Sequence, residues 1–133
     1  MAVLEKGCKN QPLVGKWKNE LGSVMIIDPS ADMSLMGSYE TNVGPDIKKF
    51  VPLYGVMNPM NTANPTFTFS IAWDSVEKAT CSAFVGQYFS NVEGEKLLTM
   101  WLLRDAVDTE GDNWEATMVG NNIFTRAKNT CQC

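Results

Sequence analysis

The sequence predicts an all-β fold, an eight-stranded antiparallel up-and-down β-barrel. Three observations carry that reading. Apolar residues recur with a period of two, the alternating runs number eight, and the gaps between them hold turn residues over lengths that suit hairpins better than βαβ crossovers. Eight short strands in one small domain favour closure, because an open sheet would leave two unpaired edges. A two-sheet sandwich is the alternative arrangement of the same strands. At 133 residues the chain reads as a single domain, 1–133, with one core.

The strand-like runs follow in order. The first two are Gly15 to Asn19 and Ser23 to Asp28, followed by Ser34 to Thr41 and Val51 to Met57. The clearest is Thr66 to Trp73, where Phe67, Phe69, Ile71 and Trp73 share one face and small or hydroxyl residues take the other. In Thr80 to Tyr88 the alternation groups Thr80, Ser82 and Phe84, so that Cys81 points the other way. Lys96 to Arg104 and Asn113 to Thr125 complete the set. Turn signals separate them: Asp28-Pro29-Ser30, Gly44-Pro45-Asp46, Asn58-Pro59, Asn91-Val92-Glu93-Gly94 and Glu110-Gly111-Asp112-Asn113. Arg104 to Asp108 is the one window read as a short helical turn.

Composition narrows the function. Hydrophobic residues at 44% and charged residues at 20% describe a globular chain, so wholesale disorder is excluded. No apolar run approaches the roughly 20 residues of a membrane-spanning helix. The net charge of −4, with cations scattered apart from Lys48-Lys49, argues against nucleic acid and anionic membranes as partners. The chain has no histidine, which excludes a Ser-His-Asp hydrolase and a His-bound zinc enzyme. No metal and no cofactor are expected.

The four cysteines, Cys8, Cys81, Cys131 and Cys133, match no two-knuckle zinc spacing. A disulfide tying the two ends is the more natural reading, and it implies an oxidising compartment. Met1 to Glu5 is not followed by the apolar stretch of a signal peptide; a secreted form with its leader absent from this chain would look the same, so this point alone leaves localisation open. The sequence contains no Asn-x-Ser/Thr site with an allowed middle residue, and standard N-glycosylation is not expected.

Four tryptophans point to a ligand. Trp73, Trp101 and the nearby Phe84 lie on strand faces that also carry Thr or Ser, while Trp114 follows an acidic turn and suits a loop tip or partner surface. A single tryptophan is ordinarily a core filler with a satisfied N–H. Hydroxyls beside aromatics inside a barrel are less ordinary, since each unpaired buried hydroxyl costs about 1–3 kcal/mol. An eight-stranded barrel is wide enough for one small ligand with matching polar atoms. The acidic stretch Asp105, Asp108, Glu110, Asp112 and Glu115 lacks EF-hand spacing and reads as a solvated turn. Met100 and Met118 suit either a core or an interface.

Several blocks resemble the avidin and streptavidin family: Gly15-Lys16-Trp17-Lys18-Asn19-Glu20-Leu21-Gly22-Ser23, then Gly37 to Thr41, Pro65 to Phe69 followed by Trp73, Gly86-Gln87, Thr99 to Arg104, Gly111 to Trp114 and Val119 to Thr125. The resemblance covers about residues 13–126 and keeps the blocks in one order. It implies a secreted, homotetrameric protein that binds biotin non-covalently with high affinity and catalyses nothing. It implies that Asn19, Ser23 and Tyr39 donate to the ureido oxygen, that Thr41 and Asn122 meet the ureido N–H groups, and that Ser82 faces the thioether sulfur. Thr80, with the loop residues Gly44 and Pro45, would lie at the valerate carboxylate. Trp73, Phe84 and Trp101 would box the bicyclic ring, with Leu21, Val43 and Leu103 filling gaps and Trp114 entering a neighbouring subunit's pocket.

Three departures accompany the resemblance. Pro45 has no backbone N–H for the carboxylate and Asp46 brings a like charge, so the carboxylate is expected to contribute less here than in relatives. Asn121 stands where an avidin-like interface has an apolar residue, and Tyr88 stands at the avidin-type disulfide position. Withholding the vitamin from competitors is the role that the family implies. The runner-up is a lipocalin-like carrier of an apolar ligand, which the polar set Asn19, Ser23, Tyr39, Thr41, Ser82 and Asn122 argues against.

Overall fold

The alternation of apolar residues becomes a closed barrel in the computed structural model, which describes residues 9–41, 50–61, 63–74 and 77–127. The strands are β1 (Gly15–Asn19), β2 (Val24–Ile27), β3 (Ser34–Glu40), β4 (Phe50–Asn58), β5 (Thr66–Trp73), β6 (Thr80–Asn91), β7 (Gly94–Asp105) and β8 (Thr117–Arg126). Each pairs antiparallel with its successor, and β8 returns to β1 through Trp17↔Arg126, Lys18↔Thr125 and Asn19↔Phe124. The barrel is the arrangement found, and the sandwich is not.

Period two sets what each strand buries. In β5, Phe67, Phe69 and Ile71 face inward and Thr66, Thr68, Ser70 and Ala72 outward. In β6, Ser82, Phe84 and Tyr88 are buried while Cys81, Ala83 and Val85 are exposed, so Cys81 points outward as the alternation requires. The core gathers Leu13, Trp17, Met25, Ile27, Leu35, Leu53, Phe69, Ile71, Leu97 and Phe124. At the β6–β7 turn Gly94 adopts φ of 125°, where a side chain would be strained and glycine is not.

The two ends of the barrel differ. At one end the segment before β1 lies across the opening: Asn10 is fully buried, donating to the Asp28 carbonyl at 2.7 Å and accepting from the Ser30 N–H at 3.0 Å. There the Arg126 guanidinium lies 4.1 Å over the Trp17 ring and reaches both Glu95 oxygens, at 2.8 and 3.0 Å, and the Pro12 and Val14 carbonyls. The opposite end carries the β1–β2, β5–β6 and β7–β8 connections and is termed the mouth.

Two expectations are corrected. The helical turn does not fall on Arg104 to Asp108: Arg104 and Asp105 continue β7, and a 3₁₀ helix occupies Glu110–Glu115. The ladder continues to Asp105, which pairs with Thr80, and the helical turn starts only after Thr109, whose carbonyl accepts from the Asp112 N–H at 3.1 Å. As a result β8 begins at Thr117, four residues later than Asn113. The acidic stretch is also not uniformly solvated, since Asp105 is half-buried on the inward side of its strand. The disulfide expectation for Cys8, Cys131 and Cys133 lies outside the described residues.

Candidate functional site

The tight β1–β2 connection assembles the deepest polar group. Asn19 ends β1, and its side-chain Oδ1 accepts from the backbone N–H groups of Leu21 and Ser23, each at 3.0 Å. That commits the amide oxygen to the turn and turns Nδ2 towards the barrel interior, 3.4 Å from the Tyr39 hydroxyl. Ser23 hydrogen-bonds the same hydroxyl. Asn19, Ser23 and Tyr39 are all buried, so three polar groups from β1, the turn and β3 meet at one point.

Burial pushes the Tyr39 hydroxyl up to about 12, with the Ser23 hydrogen bond opposing and the Glu20 charge adding to the rise. It therefore stays a protonated donor across the neutral range. Its ring is packed from three sides: Trp73 edge-on at 5.3 Å, Phe84 at 5.9 Å and Phe124 edge-on at 6.2 Å. Phe84 stacks on Phe69 at 4.6 Å. Such pairs add about 0.5–1.5 kcal/mol each beyond area burial and hold the rings in place.

The registers of β5 to β8 stack the remaining residues in rows. Phe69, Phe84, Trp101 and Gly120 form one row, Ile71, Ser82, Leu103 and Met118 the next towards the mouth, and Trp73, Thr80 and Asp105 the last. Trp73 donates its indole N–H to Ser82 Oγ at 2.8 Å, so the serine accepts there and keeps its own proton for another partner. The Trp101 ring lies over Gly120, leaving no room for a Cβ at that position.

Asn122 lies one row deeper, beside Thr99 of β7, and is buried. Its Nδ2 donates to Glu20 Oε1 at 2.8 Å, and the second oxygen of Glu20 accepts from the Ile123 N–H at 2.9 Å. Burial is the largest single influence on the Glu20 carboxyl and raises it, but the bonds from Asn122, its own backbone and Ile123 together outweigh it, and the group sits below the usual carboxylate range. With the amide nitrogen held, Asn122 presents its oxygen as an acceptor.

The structure thus brings Asn19, Ser23, Tyr39, Trp73, Ser82, Phe84, Trp101, Leu103 and Asn122 to one interior. Thr41 follows β3 and is half-buried, and Leu21 is 53% exposed on the β1–β2 turn. Thr80 lies at the rim, its hydroxyl donating to Asp105 Oδ1 at 2.9 Å. Trp114 does not join this interior: it stands 81% exposed on the 3₁₀ helix. Val43, Gly44, Pro45 and Asp46 lie outside the described residues. Reading the residues singly missed Glu20, Gly120 and Asp105. Continuing the inward alternation of Leu97, Thr99, Trp101 and Leu103 by one more step identifies Asp105.

Comparison with known proteins bears on the family and the barrel fold. The Avidin family model matches residues 8–127. Chicken (Gallus gallus) avidin is 43% identical over 122 residues, covering 87% of this chain and 78% of avidin. Avidin-related protein 1 from the same organism is 42% identical over 120 residues, with the same coverage of 87% and 78%. Among solved structures, xenavidin superposes with a TM-score of 0.78 at 39% identity, covering 88% of this chain and 98% of xenavidin. A biotin-binding protein from chicken superposes with a TM-score of 0.78 at 40% identity, covering 90% and 98%. The chain belongs to the avidin family.

Proposed function

We propose that this protein binds biotin in the mouth of its barrel and holds it without chemical change. The observation that carries the reading is the convergence of Asn19, Ser23 and Tyr39, three groups able to donate to a single carbonyl oxygen. Donors gathered on one oxygen in a dry site polarise it, and each bond strengthens the others. Asn122 supplies the complementary acceptor for a ureido N–H, with Thr41 for the other. Ser82, its lone pair engaged by Trp73, directs its proton to the thioether. Trp73, Phe84, Trp101 and Leu103 form the apolar walls. A fatty ligand of the lipocalin type would leave the polar set unpaired, at about 1–3 kcal/mol for each group.

The functional unit in this reading is a homotetramer. Trp114 projects into water with 81% of its surface exposed, which a partner surface relieves, and in the assembly it closes a neighbouring subunit's pocket. The outer faces of β6, β7 and β8 carry Val85, Leu98, Met100, Leu102, Val119 and Ile123, all exposed. A groove of about 540 Å³ runs over part of this face. Asn121, opposite Met100, is the polar interruption and weakens one contact of the assembly. Secretion and sequestration of the vitamin belong to the same reading and rest on family membership.

Thermal unfolding with and without D-biotin tests the ligand. At a thousandfold excess over Kd a ligand that binds only the native state stabilises it by about 4 kcal/mol, a rise of several degrees in Tm. An unchanged Tm would overturn the reading. Sedimentation at micromolar concentration tests the assembly, with Trp114→Ala expected to speed biotin release.

A further inference from the structure

The inward row of β7 ends on a charge. Leu97, Thr99, Trp101 and Leu103 point into the barrel, and the next residue of that parity is Asp105, half-buried at the rim. Its position is well held: the Asp105 N–H donates to the Ala116 carbonyl at 2.9 Å, and Ala106 N–H to the Ala79 carbonyl at 2.9 Å. Asp105 Oδ1 accepts the Thr80 hydroxyl at 2.9 Å, and the same hydroxyl has the Lys78 carbonyl at 3.4 Å as a more distant second acceptor.

This arrangement changes what the rim offers a ligand tail. A threonine hydroxyl has one proton. Spent on Asp105, it leaves only lone pairs towards the pocket, and a carboxylate arriving there meets an acceptor and a like charge. No cation among the described residues pairs with Asp105. The flanking connections add Asp74, Glu77 and Asp108, all exposed, against Lys78 and Arg104. Arg104 lies on the outward parity of β7 and does not offset the charge facing inward.

We propose that Asp105 sets the tail preference of this pocket, disfavouring the free carboxylate of biotin and favouring biotin joined through an amide, as on a lysine side chain. The inference rests on the biotin reading above and names the ligand class within it. Two unit charges a few ångströms apart near a surface repel enough to change affinity about fivefold or more. An amide tail escapes that repulsion and has an N–H to donate to the Asp105 carboxylate.

The test compares biotin with its N-methylamide on the wild-type protein and on Asp105→Asn. The asparagine keeps an acceptor for Thr80 and removes the charge. Wild-type protein is expected to hold the amide at least as tightly as the acid. In the variant the acid should gain about fivefold or more while the amide moves less than about twofold. An unchanged acid-to-amide ratio, or equal shifts of both ligands, would overturn the role of Asp105 while leaving biotin binding intact. If the variant does not fold, raising salt from about 0.02 to about 0.5 M on the wild-type protein gives a second reading, because screening should improve the acid relative to the amide. A ratio flat in salt would overturn the proposal. Failure of both ligands to bind wild-type protein would remove the biotin reading and this inference together.

Discussion

Glu20 and Asn122 meet across the closure of the barrel, 102 residues apart in sequence, with the amide nitrogen donating to the carboxylate at 2.8 Å. Glu20 also takes the Ile123 N–H at 2.9 Å, so one exposed side chain from the β1–β2 turn grips β8 at two adjacent residues. The bond decides which way the Asn122 amide faces. Without it, oxygen and nitrogen of that amide are free to exchange places.

Glu20→Ala is accordingly expected to weaken biotin binding by about tenfold, in line with the roughly 1.5–3 kcal/mol of a hydrogen bond to a charged group less what water restores. The barrel should stay folded. Dissociation of labelled biotin measures it, and an unchanged off-rate would show that Asn122 is oriented by something else.

Tyr39→Phe removes the hydroxyl on which Asn19 and Ser23 converge and keeps the ring contacts with Trp73, Phe84 and Phe124. The expected loss is about ten- to a hundredfold in affinity, with a stability cost of about 1 kcal/mol from the two partners left behind. Calorimetric titration alongside chemical denaturation separates the two effects. Equal affinity for wild type and variant would mean the convergence has no part in binding.

Gly120→Val places branched carbons where the Trp101 ring lies. Overpacking of this kind costs about 1–3 kcal/mol, and relief requires Trp101 to swing away from the pocket wall. Biotin affinity should fall more steeply than stability. Tryptophan fluorescence during biotin titration reports the displaced ring, and a wild-type quenching response would contradict the placement.

The closed end supplies a pH dependence. The Arg126 hydrogen bonds hold the Glu95 carboxyl below its usual range, burial opposes, and the Tyr88 hydroxyl, donating at 2.7 Å, lowers it further. A carboxyl whose folded pKa is depressed binds fewer protons than its unfolded counterpart, so its stabilisation is present above the unfolded value near 4.5 and is lost as pH falls through the folded one. Denaturation midpoints between pH 6 and about 3 should fall more steeply for wild type than for Glu95→Gln, which should also cost about 1–2 kcal/mol at neutral pH. Parallel curves would assign the acid sensitivity elsewhere.

The sequence by itself determined the eight strands, except where β8 begins, and the side of each that faces inward. Period two is local: consecutive side chains of an extended chain point to opposite faces whatever the partner strand, so Phe67, Phe69, Ile71 and Trp73 declare one face from Thr66 to Trp73 alone. The motif residues Asn19, Ser23, Tyr39, Ser82 and Asn122 were readable through resemblance, and all prove buried. Tertiary structure decided what those faces meet. Closure of β8 on β1 brings Glu20 to Asn122 and Arg126 over Trp17, pairings that no spacing along the chain encodes. The ladder between β6 and β7 draws Asp105 out of an acidic turn and sets it against Thr80, moving the helical turn to Glu110–Glu115. Alternation follows from covalent geometry within a strand. Register and closure follow from the free energy of the whole barrel, where one shifted residue would turn every inward side chain out.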